Sequence, residues 1–166
     1  MKTKKEKDMI IIKIAQESDI PNIAKLFYET IQTVNIKDYT QEEVDDWSSW
    51  YSDTDKWKQK INEQFFIIAQ LNNELVGFSS LSEDGYLDYM FVHKEHQRKG
   101  IAKKLYSKIE EKALEQKNHI IYSEVSITAK DFFESLGFKV EKLQKKKSKN
   151  KELTNFRMWK SLVGSS

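Results

Sequence analysis

Residues 86–117, YLDYMFVHKEHQRKGIAKKLYSKIEEKALEQK, decide how the rest of the chain is read. Residues 86–93 carry an aromatic or apolar side chain at nearly every position, the pattern of a strand covered on both faces. Beyond them Ile101, Leu105, Ile109 and Ala113 recur every four residues, while Lys103, Lys104, Lys108, Glu110 and Glu111 fall on other faces, so an amphipathic helix follows. The turn between is Gln97-Arg98-Lys99-Gly100-Ile101-Ala102. It opens a helix whose first N–H groups lack intrahelical partners and whose dipole is positive at that end. Gly100 lets backbone approach a bulky anion, and Arg98, Lys99, Lys103 and Lys104 add charge, so a diphosphate is the ligand this chemistry fits.

The chain has 166 residues, a length for one domain spanning residues 1–166, with residues 1–8 and 161–166 expected as loose termini. Lys plus Arg number 28 against 26 Asp plus Glu, a balance that points to neither a nucleic-acid nor a membrane partner. There is no cysteine, which excludes disulfides and thiolate chemistry. No apolar run approaches the roughly 18 residues of a membrane span, and residues 1–8 lack the apolar core of a signal peptide. A cytoplasmic location is the expectation.

In chain order, residues 9–15 read as a first strand. Ser18 or Asp19 then caps a helix with Pro21 in its first turn and Ile23, Phe27 and Ile31 as its buried stripe. Residues 38–55 hold seven acidic residues and no Lys or Arg; Thr40 with Glu43 makes a capping box, and Val44, Trp47, Trp50 and Trp57 supply apolar mass. Residues 65–71 and 75–81, around Asn72-Asn73, form a hairpin. Residues 120–126 read as a fifth strand, parallel to the fourth because a helix crosses between them. A short helix ending at Leu136, then Gly137, leads to further strands, and residues 144–151, with five lysines, read as an exposed hairpin tip. The fold class is α/β, a mixed central sheet of about 6–7 strands flanked by helices, antiparallel in its first half.

The pattern Gln97-x-x-Gly100-x-Ala102 resembles the Gln/Arg-x-x-Gly-x-Gly/Ala signature of the GCN5-related N-acetyltransferases. A second landmark, Ser126 through Ala129, Phe133, Glu134, Gly137 and Phe138, resembles that family's Asn-x-x-Ala-x-x-x-Tyr-Glu-x-x-Gly-Phe, about 30 residues further on. The resemblance extends from about Ile10 to Lys160. It implies acetyl-coenzyme A as cosubstrate, without a metal, and transfer of the acetyl group to an amine by direct attack. It also implies that the backbone of Met90 and Val92 holds the pantetheine arm, that an N–H near Phe91 or Val92 polarises the thioester carbonyl, that Gln97, Arg98, Lys99, Gly100, Ile101, Ala102 and Lys103 hold the diphosphate, and that Ser126 and Phe133 also belong to the cofactor site.

This chain departs from the family pattern at Ser126, where asparagine is common, and at Phe133, where the tyrosine that protonates the departing thiolate is common. Tyr86, Tyr89 and Tyr122 are candidates to replace that tyrosine, or else pocket wall. Asp88 and Glu124 are the candidate general bases, each alternatively a strand-edge carboxylate with a structural partner. In the family the region after the first helix covers the acceptor, so Asp45, Asp46 and Trp47 imply a cationic amine acceptor, small molecule or peptide; the plain alternative is a solvated acidic helix face. A homodimer is expected by analogy alone. His93, His96 and His119 have no metal-ligand spacing. Two other functions stay open: a non-catalytic acyl-coenzyme A sensor, raised by Phe133, and a nucleic-acid contact through residues 145–151, which lack interleaved aromatics.

Overall fold

The computed structural model describes residues 9–163; the expected basic lead-in at residues 1–8 and positions 164–166 of the expected tail lie outside the described residues. Strand β1 (Ile10–Ile14) is followed by helix α1 (Ile20–Thr33), which buries Ile23, Phe27 and Ile31 as the periodicity expects. Pro21 stands in its first turn, but the Asp19 side chain does not cap it; the carboxylate accepts the Gln16 N–H at 2.8 Å. Helix α2 (Gln41–Ser48) opens with the capping box: the Glu43 N–H donates to Thr40 Oγ1 at 3.1 Å and the Thr40 N–H to Glu43 Oε1 at 2.8 Å. A further helix that the sequence reading did not announce, α3 (Thr54–Glu63), starts where Asp53 accepts the Lys56 N–H. Trp57 is its one buried residue, so it carries no stripe for a periodicity argument to find.

Strands β2 (Phe65–Leu71) and β3 (Glu74–Leu81) make the expected hairpin; Asn72 and Asn73, at φ 53° and 65°, supply the left-handed pair that a two-residue turn demands. Strand β4 (Leu87–Val92) pairs antiparallel with β3, giving the order β1-β2-β3-β4. Helix α4 (Ile101–Glu115) crosses over to β5 (Ile120–Ser126). After the short helix α5 (Lys130–Ser135), strands β6 (Lys139–Lys147) and β7 (Glu152–Ser161) complete a second sheet, β5-β7-β6.

The seven strands therefore do not form one continuous ladder. A single parallel bridge, Tyr86 to Tyr122, joins the sheets, braced where Ser123 Oγ donates to the Leu87 carbonyl at 2.7 Å. Beyond that point β4 and β5 run in the expected parallel sense but part from each other. The C-terminal tail also begins later than expected: Ser161 is paired opposite Ile120, and the Leu162 N–H donates to the His119 carbonyl at 2.8 Å.

The first sheet separates two cores. On one face α4 packs Leu105, Ile109 and Ala113 with Ile121, Val125 and Met158. On the other, Ile23 and Phe27 of α1 meet Val44, Trp57, Phe66 and Phe78. Large side chains such as Leu105, Ile109, Ile23 and Phe78 contribute about 1.5–3 kcal/mol each on burial, so the sheet is clamped from both sides. No helix among the described residues is long and apolar enough to cross a membrane.

Candidate active site

Where β4 and β5 part, a cleft of about 1210 Å³ opens along the free edge of β4. Which backbone groups face it follows from register. Gly77 pairs with Val92 and Ser79 with Met90, and the His93 N–H donates to the Val76 carbonyl at 2.8 Å. In an antiparallel ladder hydrogen-bonded and non-hydrogen-bonded pairs alternate. Residues 93, 91 and 89 therefore turn their N–H and C=O groups toward β3, while Met90 and Val92 turn theirs toward the cleft. The Val92 carbonyl is taken by Gln97 Nε2 at 2.5 Å and Thr30 Oγ1 at 3.5 Å. Among the described residues, nothing takes the Val92 N–H or either backbone group of Met90.

The cleft continues into the turn before α4. Arg98 (φ 62°) and Gly100 (φ 83°) are both left-handed, a conformation that glycine adopts freely and arginine only under constraint. A Cβ at Gly100 would meet nothing within 4 Å, so the space beside it is open. The first intrahelical bond runs from the Lys104 N–H to the Gly100 carbonyl at 3.1 Å, which leaves the N–H groups of Ile101, Ala102 and Lys103 without helical partners. Arg98 and Lys103 line the same stretch. Ile101 is 1% exposed, so it contributes backbone alone. Lys99 is not in the cleft wall; its Nζ lies 3.5 Å from His96 Nδ1.

The other end of the cleft is aromatic, walled by Phe27, Tyr39, Trp47, Trp50, Tyr89 and Phe91, and it holds both candidate bases. Asp88, at the β-bulge of β4, accepts from Lys60 Nζ at 2.8 Å and Gln64 Nε2 at 2.9 Å, both through Oδ2. Glu124 Oε1 lies 3.2 Å from Lys146 Nζ. Burial first, and then the charge of Asp88, push the phenols of Tyr86 and Tyr89 far above their usual range, so neither is a ready proton donor. Tyr122 is raised to about 12 by burial and by its bond to Asp84, which lies 2.6 Å away. Phe133 is buried, its ring 5.1 Å from that of Phe138, and Ser126 Oγ accepts the Ala129 N–H at 3.1 Å.

Three side chains from the α1–α2 connection reach across to the far wall. Tyr39 OH donates to the Thr154 carbonyl at 2.7 Å and accepts the Ile127 N–H at 3.0 Å; Asp38 accepts from Thr128 at 2.8 Å; Asn35 Nδ2 reaches Ser126 Oγ at 3.5 Å. Sequence reading missed Asn35, Tyr39 and Lys56 and took Asp38 only as part of the acidic segment, because nothing local distinguishes them from surface residues.

Asp45 and Asp46, expected at the acceptor, have other partners. Neither lines the cleft. Asp45 accepts from Gln32 and Gln41, each at 2.8 Å. Asp46 accepts the N–H groups of Lys149 at 2.9 Å and Asn150 at 3.0 Å, holding the turn between β6 and β7. Trp47 alone of the three faces the cleft, 5.6 Å from the Tyr39 ring. The lysine run does lie at a hairpin tip: Lys145, Lys146 and Lys147 end β6, and the turn beyond docks on α2.

Residues 35–162 match the family described as Acetyltransferase (GNAT) domain. The uncharacterized N-acetyltransferase YafP of Escherichia coli (strain K12) is 30% identical over 149 residues, 90% of this chain and 94% of that one. Of the solved structures, a GCN5-related N-acetyltransferase from Rhodopseudomonas palustris superposes with a TM-score of 0.90 at 24% identity, over 93% of this chain and 97% of that one. The PaiA N-acetyltransferase of Thermoplasma acidophilum, solved in complex with coenzyme A, superposes with a TM-score of 0.78 at 21% identity, over 92% and 99%. At these identities the two structures establish a shared fold.

Proposed function

The chain belongs to the GNAT acetyltransferase family, and on that premise we propose that it moves an acetyl group from acetyl-coenzyme A to a primary amine by direct attack, with both substrates in the cleft. The observation that carries the reading is the unpaired edge of β4 running into the left-handed turn before α4. Bound there, acetyl-coenzyme A supplies a thioester activated toward amines, with an amide-rich arm and a diphosphate as handles.

The residues fit those handles. Met90 offers an N–H and a C=O to an amide-rich arm, as one more strand would. The N–H groups of Ile101, Ala102 and Lys103, with the Arg98 and Lys103 side chains, suit a diphosphate, and the open space at Gly100 admits it. Gln97 acts through the turn, by fixing the Val92 carbonyl. Ser126 and Phe133 close the opposite wall.

Val92, rather than Phe91, has its N–H directed into the cleft, so it is the donor for negative charge developing on the carbonyl oxygen, a contact of about 2.7–4 kcal/mol. Asp88, through its unshared Oδ1, or Glu124 takes the proton of the attacking amine, directly or through water. Phe133 has no proton to give and the nearby tyrosines hold theirs; with a thiol pKa of about 8.5, no acid is required near neutral pH.

The test is thiol release from acetyl-coenzyme A in the presence of a panel of primary amines, followed with a thiol-reactive dye; the chain has no cysteine to give a background. Amine-dependent release supports transfer. Binding without release for every amine would replace it with the sensor reading, and absence of binding would overturn both.

A further inference from the structure

Building on the transferase reading, we propose that the acceptor is an amine that also bears an anionic group, in the simplest case a carboxylate, and that the Lys56 ammonium holds that group. Lys56 lines the aromatic end of the cleft, half-buried, with its Nζ 4.0 Å from the centre of the Trp50 ring. Among the described residues no carboxylate lies within 4.0 Å of it, although its neighbour one turn along α3, Lys60, is matched by Asp88 at 2.8 Å. The acidic residues nearby are already engaged. Asp53 accepts the Lys56 backbone N–H as the cap of α3, and Asp46 is turned to the hairpin, so neither makes an ion pair with the Lys56 ammonium.

The surroundings add positive charge. Lys149 Nζ also stands over the Trp50 ring, at 4.5 Å, and Lys146 and Lys147 enter the same wall. The two carboxylates at this end, Asp88 and Glu124, each meet a lysine. Burial, and then the charge of Lys60, lower the pKa of Lys56 against the weaker opposing pull of Asp88 and Asp53. A polyamine would meet this excess of cations at close range, so the cationic acceptor inferred from Asp45 and Asp46 gives way to one of opposite demand. An acceptor carboxylate would supply the missing partner through a charge-assisted bond while the faces of Trp47 and Trp50 take its apolar body.

The experiment compares amines in pairs that differ only by the anionic group, such as phenylalanine with phenethylamine and a dipeptide with its C-terminal amide, in the wild type, Lys56→Gln and Lys56→Arg. In the wild type kcat/KM favours the carboxylate member by about tenfold or more, chiefly through KM. Lys56→Gln brings the ratio toward one, and Lys56→Arg restores it. A ratio near one in the wild type, or a ratio that Lys56→Gln leaves in place, overturns the assignment. If no amine turns over, calorimetric titration of the corresponding N-acetyl compounds in the presence of coenzyme A decides. Preferential binding of the carboxylate member, lost in Lys56→Gln, upholds Lys56 while the transferase reading falls; equal or absent binding overturns the Lys56 assignment as well.

Discussion

Asp46 accepts the backbone N–H of Asn150 at 3.0 Å across 104 positions of sequence. The same carboxylate takes the N–H groups of Lys149 and Lys151, Trp50 Nε1 donates to Ser148 Oγ at 3.2 Å, and Glu42 pairs with Lys151 at 3.2 Å. The acidic segment and the lysine run, which look in the sequence like two separate charged surfaces, satisfy one another. Their contact holds the β6–β7 turn beside the aromatic end of the cleft.

Asp46→Asn should therefore lower stability by about 1–2 kcal/mol, the scale of losing charge-assisted bonds at a partly exposed site, as read by urea denaturation. Burial alone would raise this carboxyl, but the three N–H groups and Ser148 together bring it below its ordinary 3.8. A depressed carboxyl stabilises above the unfolded value and loses that contribution as pH falls through the folded one. The difference between wild type and Asp46→Asn should thus be full at pH 6 and shrink below about pH 4.

Alkaline pH should act through tyrosine. Tyr39 is raised to about 12, first by burial, and Tyr122 to about 12 as well. Raised groups stabilise below their unfolded value of 10.0 and lose that contribution as pH climbs to the folded one. Stability should decline between pH 10 and 12, and Tyr39→Phe should flatten the decline. At neutral pH Tyr39→Phe should destabilise by about 1–3 kcal/mol, because a buried acceptor and donor lose their partner.

Gly100→Glu should abolish acetyl-coenzyme A binding in a calorimetric titration, since it places bulk and negative charge in the open space before α4. Gly100→Ala meets no steric neighbour and differs only by its left-handed φ of 83°. It should cost about 1 kcal/mol of stability and retain binding.

Asp88→Asn and Glu124→Gln separate the candidate bases. Loss of the true base should lower kcat by about 10²–10⁴-fold with acetyl-coenzyme A affinity retained, as measured by single-turnover kinetics and titration. The other substitution should act mainly on KM or stability, because it breaks an ion pair with Lys60 or Lys146.

What the sequence settled by itself was local. The strand, turn and helix of residues 86–117, the Thr40–Glu43 box and the Asn72-Asn73 turn depend on neighbours a few positions apart, where periodicity, capping and left-handed φ act directly. What the tertiary structure decided was every choice between distant partners. The Tyr86–Tyr122 bridge sets where β4 and β5 part, and so where the cleft lies. Asp46 turns from the acceptor to a lysine-rich turn, and Lys56 is left without the carboxylate that Lys60 has. A charged side chain takes the partner that packing brings within about 3–4 Å, and for residues tens to a hundred positions apart only the folded arrangement determines which one that is.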